Sequence, residues 1–177
     1  MTYFTGDTHF FHKNVIEYCN CPYKSVEEMN EALIANWNAR VGHEDTIYHV
    51  GDFIFSSATK AKAIFDRLNG HKHLVVGNHD DFNRMLKLGW ESVSYYKEIK
   101  VEDQKIVLLH YAMRVWNKSH RGAWQLYGHS HNSLPDDPNA RSMDVGVDAH
   151  NYAPISFEEI REIVNKKNFV AVDHPDV

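Results

Sequence analysis

The chain of 177 residues carries 43% hydrophobic and 24% charged side chains, the mixture of a globular protein able to bury one sizeable core. Its formal charge of −5 at pH 7 disfavours a long nucleic acid as ligand without excluding it, because gripping a phosphate backbone calls for a surplus of Lys and Arg. No apolar stretch approaches the length of a membrane span, and Met1-Thr2-Tyr3-Phe4-Thr5-Gly6-Asp7 has neither a basic region nor an apolar signal core, so a cytoplasmic protein with no membrane partner is expected.

The first strand-like run, Thr2–Thr5, leads into Asp7 and His9. Cys19 and Cys21 are the only thiols; too close for an easy mutual bridge, they are expected to stay reduced, with no chemistry assigned. Ser25-Val26-Glu27-Glu28 is a capping-box pattern, and Val26, Met29, Leu33, Trp37 and Val41 follow at helical spacing toward Gly42. Thr46–Val50 is a strand before Asp52, and Thr59–Leu68 a helix stopped by Asn69-Gly70, so a βαβ unit joins Asp52 to the short run Leu74–Val76 before Asn78.

Asp81–Leu88 is a shorter helix closed by Gly89. The alternating segment Ser92–Val101 turns at Glu102-Asp103-Gln104 into Ile106–Leu109, which predicts an antiparallel hairpin ending at His110. Trp124–Tyr127 precedes His129 and His131; Leu134–Asn139 reads as a loop and Met143–Val147 as a strand, and Ser156-Phe157-Glu158-Glu159 caps a last helix to about Lys166. Strands alternating with helices predict an α/β sandwich in one domain, 1–177, too short for a separate substrate cap and hence with an open site.

Five of these runs end in residues of metal-ligand type: Asp7/His9, Asp52, Asn78, His110 and His129/His131. In an open α/β sheet ligands gather beyond the carboxyl ends of the strands, so the five runs imply one site. Carboxylates, one amide and several imidazoles without thiolate suit first-row divalent ions, and the number of ligands suits two of them. Asp7/His9 and His129/His131 are i, i+2 pairs, which in extended chain point to one side. Of the 13 histidines, His43, His71, His73, His120, His150 and His174 are expected to be mostly exposed bystanders.

The ordered blocks Asp7-Thr8-His9, Gly51-Asp52, Gly77-Asn78-His79-Asp80, His110 and Gly128-His129-Ser130-His131 resemble the signature of the calcineurin-like metallophosphoesterases, over most of the chain. The resemblance implies an α/β/β/α sandwich of mixed sheets with the metal site at strand C-terminal ends. It implies Asp52 as a bridge between two divalent transition-metal ions, one completed by Asp7, His9 and His131 and the other by Asn78, His110 and His129. Manganese is the first expectation, with nickel, iron, cobalt or zinc as alternatives. By the same resemblance a hydroxide between the metals attacks a small phosphodiester, such as a nucleotide or cyclic nucleotide, or a phosphomonoester, while Asn78 and His79 meet the phosphate.

His79 could also protonate the leaving oxygen, since imidazole titrates near neutral pH. The chain departs from the pattern here: Phe55 stands where members with G-D-x-x-D place a carboxylate to orient that histidine, leaving Asp80 as the alternative orienting group. His12 and Arg114, each close in sequence to ligand positions, are candidate substrate contacts; Phe10, Phe11 and Trp116 divide between substrate and core roles, and Asp144 and Asp148 are read as supporting or loop residues. The alternative activity is a nuclease on the same scaffold, left open by aromatic and basic residues at 10–13 and 114–124; a non-catalytic interaction module is disfavoured because every ligand position is filled. Oligomeric state is not legible.

Overall fold

A computed structural model describes residues 1–173. Strands β1 (Thr2–Thr5), β2 (Thr46–Val50), β3 (His71–Val75) and β4 (Ser92–Ser94) pair in parallel. A second sheet holds β5 (Tyr96–Val101), β6 (Gln104–Leu109), β7 (Trp124–Tyr127) and β8 (Ser142–Asp144), antiparallel between β5 and β6 and parallel beyond. Strand β9 (Ile155–Ser156) returns to the first sheet, antiparallel to β1, so the orders are β4-β3-β2-β1-β9 and β5-β6-β7-β8.

Side-chain alternation along the strands sorts the core into layers. Tyr3, Ile47 and Leu74 face α2 (Val26–Arg40) and α3 (Ala58–Phe65), where Met29, Leu33, Trp37, Ile64 and Phe65 are buried; α1 (Val15–Tyr18) and α4 (Phe82–Met85) are single turns placing Val15 and Met85 in the same layer. Phe4, Val50 and Val75 point the other way, onto Ile106, Leu108 and Leu126 of the second sheet. The last helix, α5 (Phe157–Val164), adds Phe157, Ile160 and Val164 to this inter-sheet core, and its Ser156 and Glu159 form the full capping box. In α2 the Ser25 hydroxyl accepts from Glu28 N, whereas the Glu28 carboxylate reaches the amide of Lys24 instead of Ser25. On the outer face of the second sheet Val107 lies beneath Trp116 and Ala123.

The α/β sandwich of two mixed sheets agrees with the sequence, with two local differences. The alternating segment 92–101 is not one strand: β4 extends the first sheet and β5 starts the second, with the exposed Tyr95 at the crossing, so only Tyr96–Val101 forms the hairpin with β6. The strand expected over Met143–Val147 stops at Asp144, because the Asp144 carboxylate accepts from Gly146 N and turns the chain into a 3-10 turn over Val147–Ala149.

Candidate metal centre

The five ligand-type blocks come from both sheets: β1, β2 and β3 lead to Asp7/His9, Asp52 and Asn78, and β6 and β7 to His110 and His129/His131. Donor atoms of Asp7, His9 and His131 lie within 4.8 Å of one another, and so do those of Asp52, His110 and His129. Asp52 links the two groups: its Oδ2 is 3.6 Å from His9 Nε2 and 3.4 Å from His110 Nε2. Asn78 Oδ1 stands 3.0 Å from both His110 Nε2 and His129 Nδ1.

The i, i+2 pairs are not on extended chain. Asp7 and His9 have φ of 52° and 45°, His129 and His131 68° and 46°, and Asp52 58°, all in the left-handed region. Such backbone is disfavoured for side chains with a Cβ, and its concentration at one place marks a site where geometry is held against local preference. The loops are held by hydrogen bonds, Asp7 N to Gly51 O and His9 N to Asp52 O, and His129 N donates to both Asp7 carboxylate oxygens.

The donor set fits divalent cations on its hydrogen bonding. His110 Nδ1 faces the Val50 carbonyl at 2.8 Å and therefore carries the proton of a neutral ring, leaving the Nε2 lone pair directed at Asn78 Oδ1 and Asp52 Oδ2. His131 Nδ1 meets Asp148 Oδ2 at 2.7 Å, which likewise frees its Nε2. His9 Nε2 is buried without a hydrogen-bond partner. Lone pairs facing lone pairs in a buried space need a cation between them.

Protons can answer part of that need. Burial pushes the Asp7 carboxyl up to about 7 and the His9 imidazole down to about 3. For Asp52 burial works upward, yet the His110 hydrogen bond and the neighbouring imidazoles outweigh it and hold the group down at about 2. Burial works downward on His131, but the hydrogen bonds with Asp148 and Cys19 and the charges of Asp7 and Asp148 together outweigh it and raise the group to about 11. A bound divalent cation supplies the positive charge that keeps Asp7 ionised and the imidazoles neutral.

Asn78, His79 and His129 are exposed, so the open side of the cluster lies among them. The His79 ring is 5.4 Å from that of His9 and 5.8 Å from that of His12. Its backbone N–H donates to Asp52 Oδ1. Asp80 does not orient His79: its carboxylate accepts from the amides of Asp52, Phe53 and Gly77, clamping two ligand-bearing loops together. His12 Nδ1 lies 3.2 Å from His9 Nδ1, behind that ring, and His12 also packs on the exposed Phe55 at 5.0 Å between ring centroids.

Arg114 is not brought into the cluster; it lines a neighbouring cleft of about 420 Å³ with Met113, Tyr127 and Leu134. Phe10 and Trp116 are buried core residues, and the Trp116 indole donates to Ala123 O. Of the histidines expected to be bystanders, His43 and His71 are exposed, whereas His73, His120 and His150 are half-buried and bonded or paired, His150 to Asp144 O; His174 lies outside the described residues.

Four further residues contribute to the cluster. His49 is fully buried with Nε2 2.9 Å from Thr8 Oγ1, and since that hydroxyl donates to Phe53 O it accepts from His49, fixing the residue between Asp7 and His9. Cys19 lies against His131 and Asp148 though more than a hundred residues away in sequence. Tyr111 sets its ring edge to His129 at 4.6 Å. Gly146 leaves room for Asp7, since a Cβ there would lie 2.5 Å from Asp7 Oδ2.

Residues 3–144 match the model of the calcineurin-like phosphoesterase superfamily domain. An uncharacterised protein of Methanocaldococcus jannaschii is 35% identical over 175 residues, covering 95% of this chain and 93% of its own. The gene 66 protein of Mycobacterium phage L5 is 30% identical over 198 residues, covering 93% and 94%. The solved structure of a protein of unknown function from Aquifex aeolicus, 26% identical, superposes with a TM-score of 0.73 over 92% of this chain and 98% of that one. With its ordered ligand blocks, its two mixed sheets and a family match over most of its length, the chain belongs to the calcineurin-like phosphoesterase superfamily.

Proposed function

We propose that this protein hydrolyses small phosphodiesters, with nucleotides and cyclic nucleotides in view, or phosphomonoesters, using two divalent transition-metal ions of which manganese is the first choice. Asp7, His9 and His131 would hold one ion, Asn78, His110 and His129 the other, and Asp52 would join them. The observation that carries the reading is the buried Asp52 carboxylate between two imidazole groups whose lone pairs converge on it. When bound, the ions supply Lewis-acid polarisation of the phosphoryl group and an activated water.

The chain's own part is to fix ligand loops in left-handed backbone, to keep the imidazole tautomers through Val50 O and Asp148, and to leave Asn78 and His79 on the open side, where a phosphate can reach them.

The test is hydrolysis of bis-p-nitrophenyl phosphate and p-nitrophenyl phosphate by metal-stripped protein with manganese, nickel, zinc or magnesium restored. Turnover that disappears on stripping, returns best with manganese and is faster on the diester is expected. No turnover with any metal would overturn the reading in favour of a non-catalytic module.

Among the described residues no carboxylate is hydrogen-bonded to the His79 ring: Phe55 stands where the family pattern places the orienting acid, and Asp80 is engaged by backbone amides. His79 is therefore assigned to hold a phosphate oxygen, not to protonate the leaving group. His79→Ala should lower kcat/KM by the same factor, about 10–10², for nitrophenyl and alkyl leaving groups alike. A loss much larger for the alkyl ester would show a general acid.

A further inference from the structure

The basic residues of the 114–124 stretch do not all belong to the metal centre. Lys118 and Arg121 line a cleft of about 300 Å³ with Lys105 and Arg141, and a second cleft of about 240 Å³ shares Lys105 and Lys118 and adds Lys100. The cations come from separate segments: the start of β6, the 3-10 turn Ser119–Arg121 with its preceding residue, and the residue before β8. Gln104 pins two of these segments, its Nε2 donating to Lys105 O at 2.8 Å and Gly122 O at 3.1 Å.

Among the described residues Lys105, Lys118, Arg121 and Arg141 are in no ion pair, in a chain whose acids outnumber its Lys and Arg, 24 to 19. The two carboxylates that line the clefts are already partly engaged: Asp103 pairs with Lys100 at 3.3 Å, and Glu98, near Lys105 and Lys118, accepts from the Tyr96 hydroxyl and the Asn117 amide. Like charges are instead pressed together, and Lys118 pulls the Lys105 ammonium below its ordinary pKa. Arg141 is held in place by Phe169, 5.1 Å beneath its guanidinium, and by Gly122, where a Cβ would come within 3.0 Å of Nη1; its Nε is buried and unpartnered.

A solvated protein surface ordinarily mixes signs evenly, whereas here five cations from several segments, Lys100, Lys105, Lys118, Arg121 and Arg141, converge around two carboxylates, Asp103 and Glu98. We infer that these joined clefts are a second anion site, which takes the successive phosphate groups of a polyanion at the end of the second sheet opposite the metal centre. One phosphate would leave most of the cations unanswered, which is why the ligand is a chain of them. The Lys105-to-His110 span of β6 is about 16 Å at about 3.3 Å per residue, too far for one phosphate to touch both places. The inference is therefore independent of the phosphoesterase reading.

The test uses whole protein with chelator present, so that the metal centre takes no part. Binding of inorganic tripolyphosphate is followed by calorimetry and binding of a labelled oligothymidylate by anisotropy, for wild type, Lys105→Gln/Lys118→Gln, Arg121→Gln, and a comparison pair Lys24→Gln/Lys87→Gln that removes the same charge elsewhere. Wild type should bind at least one probe, and the cleft pair should weaken it about tenfold or more. With the oligonucleotide the log–log salt slope should become shallower by about 1.4 for two lost contacts. Preference for the oligonucleotide would name a strand as the source of the phosphates, and preference for tripolyphosphate a free polyanion. Wild type binding neither probe, or both double variants losing binding equally, would overturn the inference.

Discussion

Asp52→Asn should lower kcat/KM for bis-p-nitrophenyl phosphate by about 10³-fold or more, roughly 4 kcal/mol of transition-state stabilisation at 1.36 kcal/mol per decade. Asp52 is 2% exposed and faces imidazoles of both halves of the cluster, at 3.6 Å from His9 Nε2 and 3.4 Å from His110 Nε2. The substitution keeps the shape but removes the buried negative charge that, in the proposed function, would hold two cations close to each other. It also turns an acceptor-only group into one that must direct either oxygen or NH₂ at the imidazoles. The direct readout is metal content after dialysis, which should fall from two ions per chain to one or none. The fold should survive, because the amide oxygen can still accept the His79 N–H that Asp52 Oδ1 accepts, with the metal-free variant melting somewhat lower since the surroundings that hold the Asp52 carboxyl down at about 2 stabilise its ionised form. Wild-type turnover with two ions bound would sink the assignment of Asp52 as the shared ligand.

The ligand blocks were legible because each follows a short apolar run, and a residue just past the end of a strand has its position fixed by the strand. The structure brings donor atoms of those blocks together in two groups, Asp7/His9/His131 and Asp52/His110/His129. The local conformation was not legible. A period-two reading treats Asp7/His9 as extended chain, and only the tertiary clamps show that both residues are left-handed. The sheet change at Tyr95 escaped although the alternation along 92–101 breaks there, at the adjacent Tyr95-Tyr96 and Lys97-Glu98, because pattern does not record which neighbour a strand pairs with. Asp80 looked like an orienting acid because it adjoins His79, but two loop amides and Gly77 N compete for its oxygens and win. Cys19 and Asp148 meet at His131 from opposite ends of the chain, a contact without any local signal.

Gly77→Ala should destabilise the protein by about 3 kcal/mol or more, the upper part of the range for overpacking in a rigid interior, and should abolish metal loading. A Cβ at Gly77 would lie 2.2 Å from Asp52 Oδ1 and 2.5 Å from Asp52 N. Neither atom can give way cheaply. Asp52 N is tied to Asp80 Oδ2 at 2.8 Å, the amide of Gly77 is tied to the same oxygen at 3.0 Å, and Asp52 Oδ1 holds His79 N. The methyl would separate the two loops that Asp80 holds together, and with them Asp52 from Asn78. Gly42→Ala is the comparison: its new Cβ would meet only the flexible end of the Asp45 side chain, at 3.2 Å, far from the cluster, and should cost well under about 1 kcal/mol. In thermal unfolding the first variant should melt lower by about 6–12 °C, at about 2–4 °C per kcal/mol for a chain of this size, and the second should shift little. A Gly77→Ala protein as stable as Gly42→Ala, with full metal content, would show that the loops are not clamped as the Asp80 hydrogen bonds require.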